Sequence, residues 1–195
     1  MTVVSFRWSG AALTLGAPLM GMGITLGSTK VAQITTPWVA TVFFLGSILT
    51  MLALPGIYAR QANAVGWLGL AGHVLLATGL VLLIFVAALP LLDPNVSSIP
   101  DTAAAALLFF ALFAGLVMTS IATLRAGVYP RWTGILLLAA CLLLPLAFFS
   151  DVLPDVSFVS LGAVLGTGFG LLFAAGFAWL GLSAWATSKS TSTTS

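Results

Sequence analysis

Charge is what this sequence lacks most. Only 5% of its 195 residues are charged, whereas a soluble domain carries about 25% because its surface must face water. Six Lys and Arg with four acids cannot clothe a water-facing shell, and 61% of the residues are hydrophobic. Mean hydropathy is +1.20. The solvent for most of this surface is therefore lipid. The net charge of +2 is too sparse for a nucleic-acid footprint, which needs clustered Lys and Arg.

Other scarcities exclude chemistry. Cys141 is the single cysteine. It has no intrachain disulfide partner and no companion for a thiolate metal site, so it reads as a small buried hydrophobe. There is no Walker loop, no Gly-x-Ser-x-Gly, no His-Glu-x-x-His and no Cys-x-x-Cys, which disfavours an ATPase, a zincin and a thiol oxidoreductase. Gly166-x-Gly168-x-Gly170 lies inside an apolar run rather than after a strand, so it is no nucleotide fingerprint. No cofactor or metal is expected.

Long apolar runs are abundant. A spanning helix needs roughly 20 apolar residues. Six runs qualify, at roughly 8–27, 37–58, 66–91, 103–124, 132–150 and 157–185. They are continuous rather than alternating, so barrel strands are excluded. The expected fold is an all-α membrane protein, a bundle of six transmembrane helices forming a single domain over residues 1–186. Residues 187–195, almost all Ser and Thr, are expected to be disordered. The first run resembles a signal segment only in part. It is longer than an apolar core of about 7–15 residues, and a retained helix is expected.

Topology follows from the basic residues. With the N-terminus inside, inner segments hold Arg7, Arg60, Arg125, Arg131 and Lys189. Outer segments hold Lys30 and all four acids, Asp93, Asp101, Asp151 and Asp155. The positive-inside rule then predicts a multi-pass protein of the plasma membrane with both termini cytoplasmic.

A short pattern recurs. Arg60 is followed seven residues on by Trp67-Leu-Gly69, and Arg125 by Trp132-Thr-Gly134. Trp8-Ser-Gly10 opens the first run. Trp8, Trp67 and Trp132 suit interfacial anchoring. The spacing suggests three tandem helical hairpins, each beginning and ending in the cytoplasm. Such parallel units differ from the inverted repeats of many transporters.

Few residues are candidates for chemistry. His73 is the one ionisable residue inside a run, and intramembrane ionisable groups are functional candidates by default. It could bind a ligand or relay a proton. The plainer reading is a neutral imidazole hydrogen-bonded to a neighbouring carbonyl or hydroxyl, such as Thr50 or Thr123. Asp151 and Asp155 are weaker outer-side candidates for acid–base work, with Pro154 between them. Asp155 also suits a helix N-cap.

Gly162, Gly166 and Gly170 form a stripe suited to close helix packing. Pro18 and Pro145 fall inside runs, where each removes a helix bond.

Three function classes remain. The first is a non-enzymatic membrane subunit, scaffold or lipid-interacting component. The second is a small-solute or lipid transporter or channel with a cavity near His73, Thr78, Ser47 and Thr50. The third is a membrane-embedded lipid-modifying enzyme. The expected partner is the lipid bilayer, with a homo-oligomer or larger membrane complex compatible with the glycine stripes.

Overall fold

The computed structural model describes residues 3–28, 36–93, 102–148 and 161–190. Among these there are five helices and no strand. They are α1 (Val3–Ser28), α2 (Pro37–Leu92), α3 (Thr102–Ala126), α4 (Arg131–Phe148) and α5 (Leu161–Ser190). Four of the helices are long and apolar enough to cross a membrane, and Arg131–Leu146 is a shorter apolar helix. The count of six runs therefore does not map one-to-one onto helices. Runs two and three lie on the single 56-residue α2.

That long helix is not straight. As a continuous rod it would extend roughly 84 Å, far beyond a hydrocarbon core of about 30 Å. Gly66 breaks it, with φ 57° and ψ −151°, a conformation that only glycine adopts without strain. The side chains of Gln61 and His73 stand 3.4 Å apart. Twelve residues along an unbroken helix would separate them by about 18 Å. The chain thus turns back at Gly66, and residues 37–65 pack against residues 67–92. The segment 59–65, expected as a connection, is helical right up to the corner. Its polar residues face inward or to the end of the bundle instead of forming a loop.

The helix ends follow local chemistry. Pro37 opens α2 at a position where a missing N–H costs nothing, after an extended Thr36. Gly127, at φ 61°, ends α3 in the left-handed conformation favoured there. The Thr133 hydroxyl and N–H both donate to the Pro130 carbonyl at the start of α4. Helix α5 continues to Ser190, and residues 191–195 of the expected tail lie outside the described residues.

Hydroxyls within the helices bond backward. Thr14, Ser28, Ser47, Thr78, Ser120 and Ser183 each donate to the carbonyl four residues earlier. This internal satisfaction lets such side chains lie in an apolar medium.

Small residues set how the helices meet. A Cβ on Gly16 would lie 2.8 Å from Thr50 N, so α1 sits flush on residues 37–65. A Cβ on Gly72 would lie 2.8 Å from Thr119 N, which seats α3 on residues 67–92. Gly134 meets Leu124 of α3, and Gly176 meets Leu137 of α4. Gly10 meets Gly181 and Trp185, and Gly21 meets Gly170 and Ala174, which packs α5 on α1. Each helix therefore packs on the next, and the last packs on the first. The result is a closed ring.

All five helices contribute to one apolar core. Leu13 and Met20 of α1, Ile57, Leu76 and Leu80 of α2, Leu116, Leu137, Phe173, Phe177 and Leu180 are all fully or almost fully buried in one core. Phe169, Phe173 and Phe177 follow one another along α5 with tilted rings, at 5.8 and 4.6 Å between centroids. Outside, Leu15, Leu52, Phe85, Phe110, Leu142 and Leu171 are exposed, while Ser47, Thr50, Thr119, Ser120, Thr123 and Thr133 are buried. A soluble domain does not expose an apolar surface so continuous. The fold is that of a helical membrane protein.

Candidate functional site

The sites meet at one end of the ring. Arg7 lies at the start of α1, Arg60 before the Gly66 corner, Arg125 at the end of α3 and Arg131 at the start of α4. The antiparallel packing brings these positions to a common end, and Asp93, after α2, is at the other. Lys30, Asp101, Asp151 and Asp155 lie outside the described residues.

His73 is buried among its own kind of neighbour. Its Nδ1–H donates to the Gly69 carbonyl at 2.8 Å. A carbonyl only accepts, so a proton sits on Nδ1. The other nitrogen, Nε2, accepts from the Gln61 amide at 3.4 Å. The Tyr58 ring lies against the imidazole, 5.1 Å between centroids. The anticipated partners Thr50 and Thr123 do not bond it. Gln61 takes that role because the Gly66 corner folds residue 61 back onto residue 73. No sequence signal marked Gln61, since it fell in a segment that read as a loop.

Arg60, next to Gln61, ties three parts together. Its Nη1 donates to the Ala184 carbonyl of α5 at 3.0 Å. Its guanidinium lies over the Tyr129 ring, 5.6 Å from the centroid, a cation–π contact. The corner of α2, the end of α5 and the α3–α4 connection are thereby joined. Burial pushes the Tyr129 phenol up to about 12, against a smaller downward pull from Arg60. Its hydroxyl has no hydrogen-bond partner, and neither do Gln61 Oε1, Thr119 Oγ1 or Thr123 Oγ1.

The three Trp-x-Gly starts share a geometry. Trp8, Trp67 and Trp132 are 72%, 76% and 68% exposed, while Gly10, Gly69 and Gly134 are buried. Two helix positions differ by about 200°, so one faces out as the other faces in. Each glycine meets the helix that precedes its own around the ring. Gly69 meets Val65, Gly134 meets Leu124, and Gly10 meets α5. Thr14 and His73, each six residues after the Trp, both donate to that glycine's carbonyl. Leu138 occupies the third such position.

The remaining candidates are placed as follows. Gly166 faces Ser28, and Gly170 faces Thr25 and Gly21, so both lie on α1 of the same chain. Gly162 is half-buried. Thr78 is exposed and bonded to Val74. Thr50, on residues 37–65, lies eleven positions before Gln61, about 16 Å along the axis. Ser47 and Thr50 are buried on that segment. Cys141 is buried and free. No group of three or more His, Cys, Asp or Glu able to hold a metal ion occurs among the described residues.

No family model matches the chain, and no curated protein or solved structure is detectably similar to it.

Proposed function

We propose that this protein is a non-enzymatic structural component of the plasma membrane, crossing it six times as three tandem hairpins arranged in a ring. The hairpins are residues 3–65, 67–126 and 131–190. The arginine-bearing end, with both termini, faces the cytoplasm in accord with the positive-inside rule. The shared Trp-out, Gly-in geometry and the Thr14 and His73 bonds support the repeat.

The carrying observation is a single apolar core to which every helix contributes buried side chains. Such a ring suits a scaffold, a subunit or a lipid-organising part, with the bilayer as its main partner. The orphaned polar atoms of Gln61, Thr119, Thr123 and Tyr129 favour a second reading, in which hydrated polar groups near His73 pass a small solute or proton. Nothing in the described residues adds to the reading as a lipid-modifying enzyme.

Proteoliposomes separate the two. Reconstituted protein is expected to leave proton and small-solute leakage at the level of protein-free vesicles. Saturable flux that disappears in His73→Ala would replace the first reading with the second.

A further inference from the structure

A groove lies at the arginine-bearing end, where α1 begins and α5 ends. It has a volume of about 320 Å³ and is lined by Arg7, Trp8, Ala11 and Trp185. We propose that it holds the headgroup of one anionic phospholipid. The proposal rests on the membrane-embedded reading above, but not on whether the protein conducts.

The walls come from the helix contact itself. A Cβ on Gly10 would lie 3.0 Å from Trp185 N. Because Gly10 has none, α1 sits against the backbone of α5, and the two indoles flank the seam. Trp8, Ala11 and Leu15 follow one another at helical spacing on α1, and Leu15 is exposed, as is Leu182 on α5. An acyl chain therefore has an apolar path leading away from the groove.

Charge selects the occupant. Arg7 is the one charged side chain among the lining residues, and no acid accompanies it. A guanidinium presents paired donors matched to phosphate oxygens. A singly anionic phosphodiester balances one arginine. A zwitterionic lipid would bring an ammonium for which the lining has no carboxylate. Indoles are suited to headgroup depth, being apolar with one N–H. A volume of about 320 Å³ falls at the lower end of small-molecule sites, about 300–1,000 Å³, which suits a headgroup. Basic pockets between helices near the cytoplasmic surface are a recurrent form of headgroup recognition.

The test uses full-length protein in neutral detergent, titrated with phosphatidylglycerol or phosphatidylcholine and followed by native mass spectrometry. Wild type is expected to retain one phosphatidylglycerol with about tenfold preference, the size of a charge-assisted bond. Arg7→Gln should bring that preference down to the phosphatidylcholine level. Arg131→Gln removes an exposed arginine at the same end but outside the groove, and should keep it. Ala11→Trp fills the groove while leaving Arg7 in place, and should also abolish retention. This variant carries the test if Arg7→Gln does not fold. Absence of preference in wild type, its persistence in Arg7→Gln or Ala11→Trp, or equal loss in Arg131→Gln would overturn the proposal. Lipid retention is read without any flux measurement, so its failure is distinct from failure of the scaffold reading.

Discussion

Tyr129 and Arg60 show how single side chains secure the arginine-bearing end. The Tyr129 hydroxyl is buried without a partner, and such a group costs free energy. Tyr129→Phe should therefore match or exceed the wild-type melting temperature near neutral pH. The pH dependence has a definite sign. Folding holds the phenol protonated up to about 12, while an unfolded tyrosine ionises near 10. The contribution is intact below pH 10 and falls as the unfolded state loses its proton, by on the order of 2 kcal/mol at pH 12. Denaturation across pH 8–12 should show a steeper alkaline loss in wild type than in Tyr129→Phe. Equal slopes would contradict the buried placement. Arg60→Ala removes the bond to Ala184 and the contact over Tyr129. It should cost about 1–3 kcal/mol in the same assay. Arg60→Lys should recover only part, because an ammonium lacks the planar fork.

Between helices, the decisive positions are glycines of two different kinds. Gly66 is needed for its backbone conformation alone, since a Cβ there would meet nothing within 4 Å. Gly66→Ala should cost about 1–3 kcal/mol, because φ 57° with ψ −151° belongs to a region essentially reserved for glycine, seen as a lower thermal midpoint. Gly46 is needed for space, because a Cβ there would lie 2.8 Å from Met20 Cα and 2.9 Å from the Gly16 carbonyl. Gly168 meets only Leu143 Cδ1, at 3.0 Å, the far end of a side chain that can rotate away. Gly46→Ala should therefore destabilise by about 1–3 kcal/mol, and Gly168→Ala by clearly less. Equal effects, read by melting temperature, would mean that backbone approach does not control the packing.

These elements also mark what the sequence made legible. Apolar runs and breakers located the helical segments, because lipid demands length and backbone satisfaction. Trp8, Trp67 and Trp132 stood out through their spacing to glycine. The corner at Gly66 was hidden, because Arg60-Gln61-Ala-Asn63 reads as a polar connection and one φ angle leaves no compositional trace. The Gln61–His73 pair depends on that corner, so His73 was visible but its partner was not. The inward or outward facing of Thr50 and Thr78 depended on which helices became neighbours.

For the molecule as a whole, closure of the ring is the organising property. Each helix borders two others, and the first and last meet at Gly10, Gly21, Gly170 and Gly181. A closed ring that buries Ser47, Thr50, Thr119, Ser120, Thr123 and Thr133 and leaves apolar side chains for lipid is the basis of the scaffold proposal.

The central claim is that α2 crosses the membrane twice about the Gly66 corner. Single cysteines in a Cys141→Ser background, labelled with a membrane-impermeant maleimide in oriented vesicles, test it most directly. Cysteines at Asn63, Arg7 and Val128 should label from one side, and those at Thr36 and Leu92 from the other. A cysteine at Asn63 labelled from the same side as one at Leu92 would contradict the double crossing and the six-span ring with it.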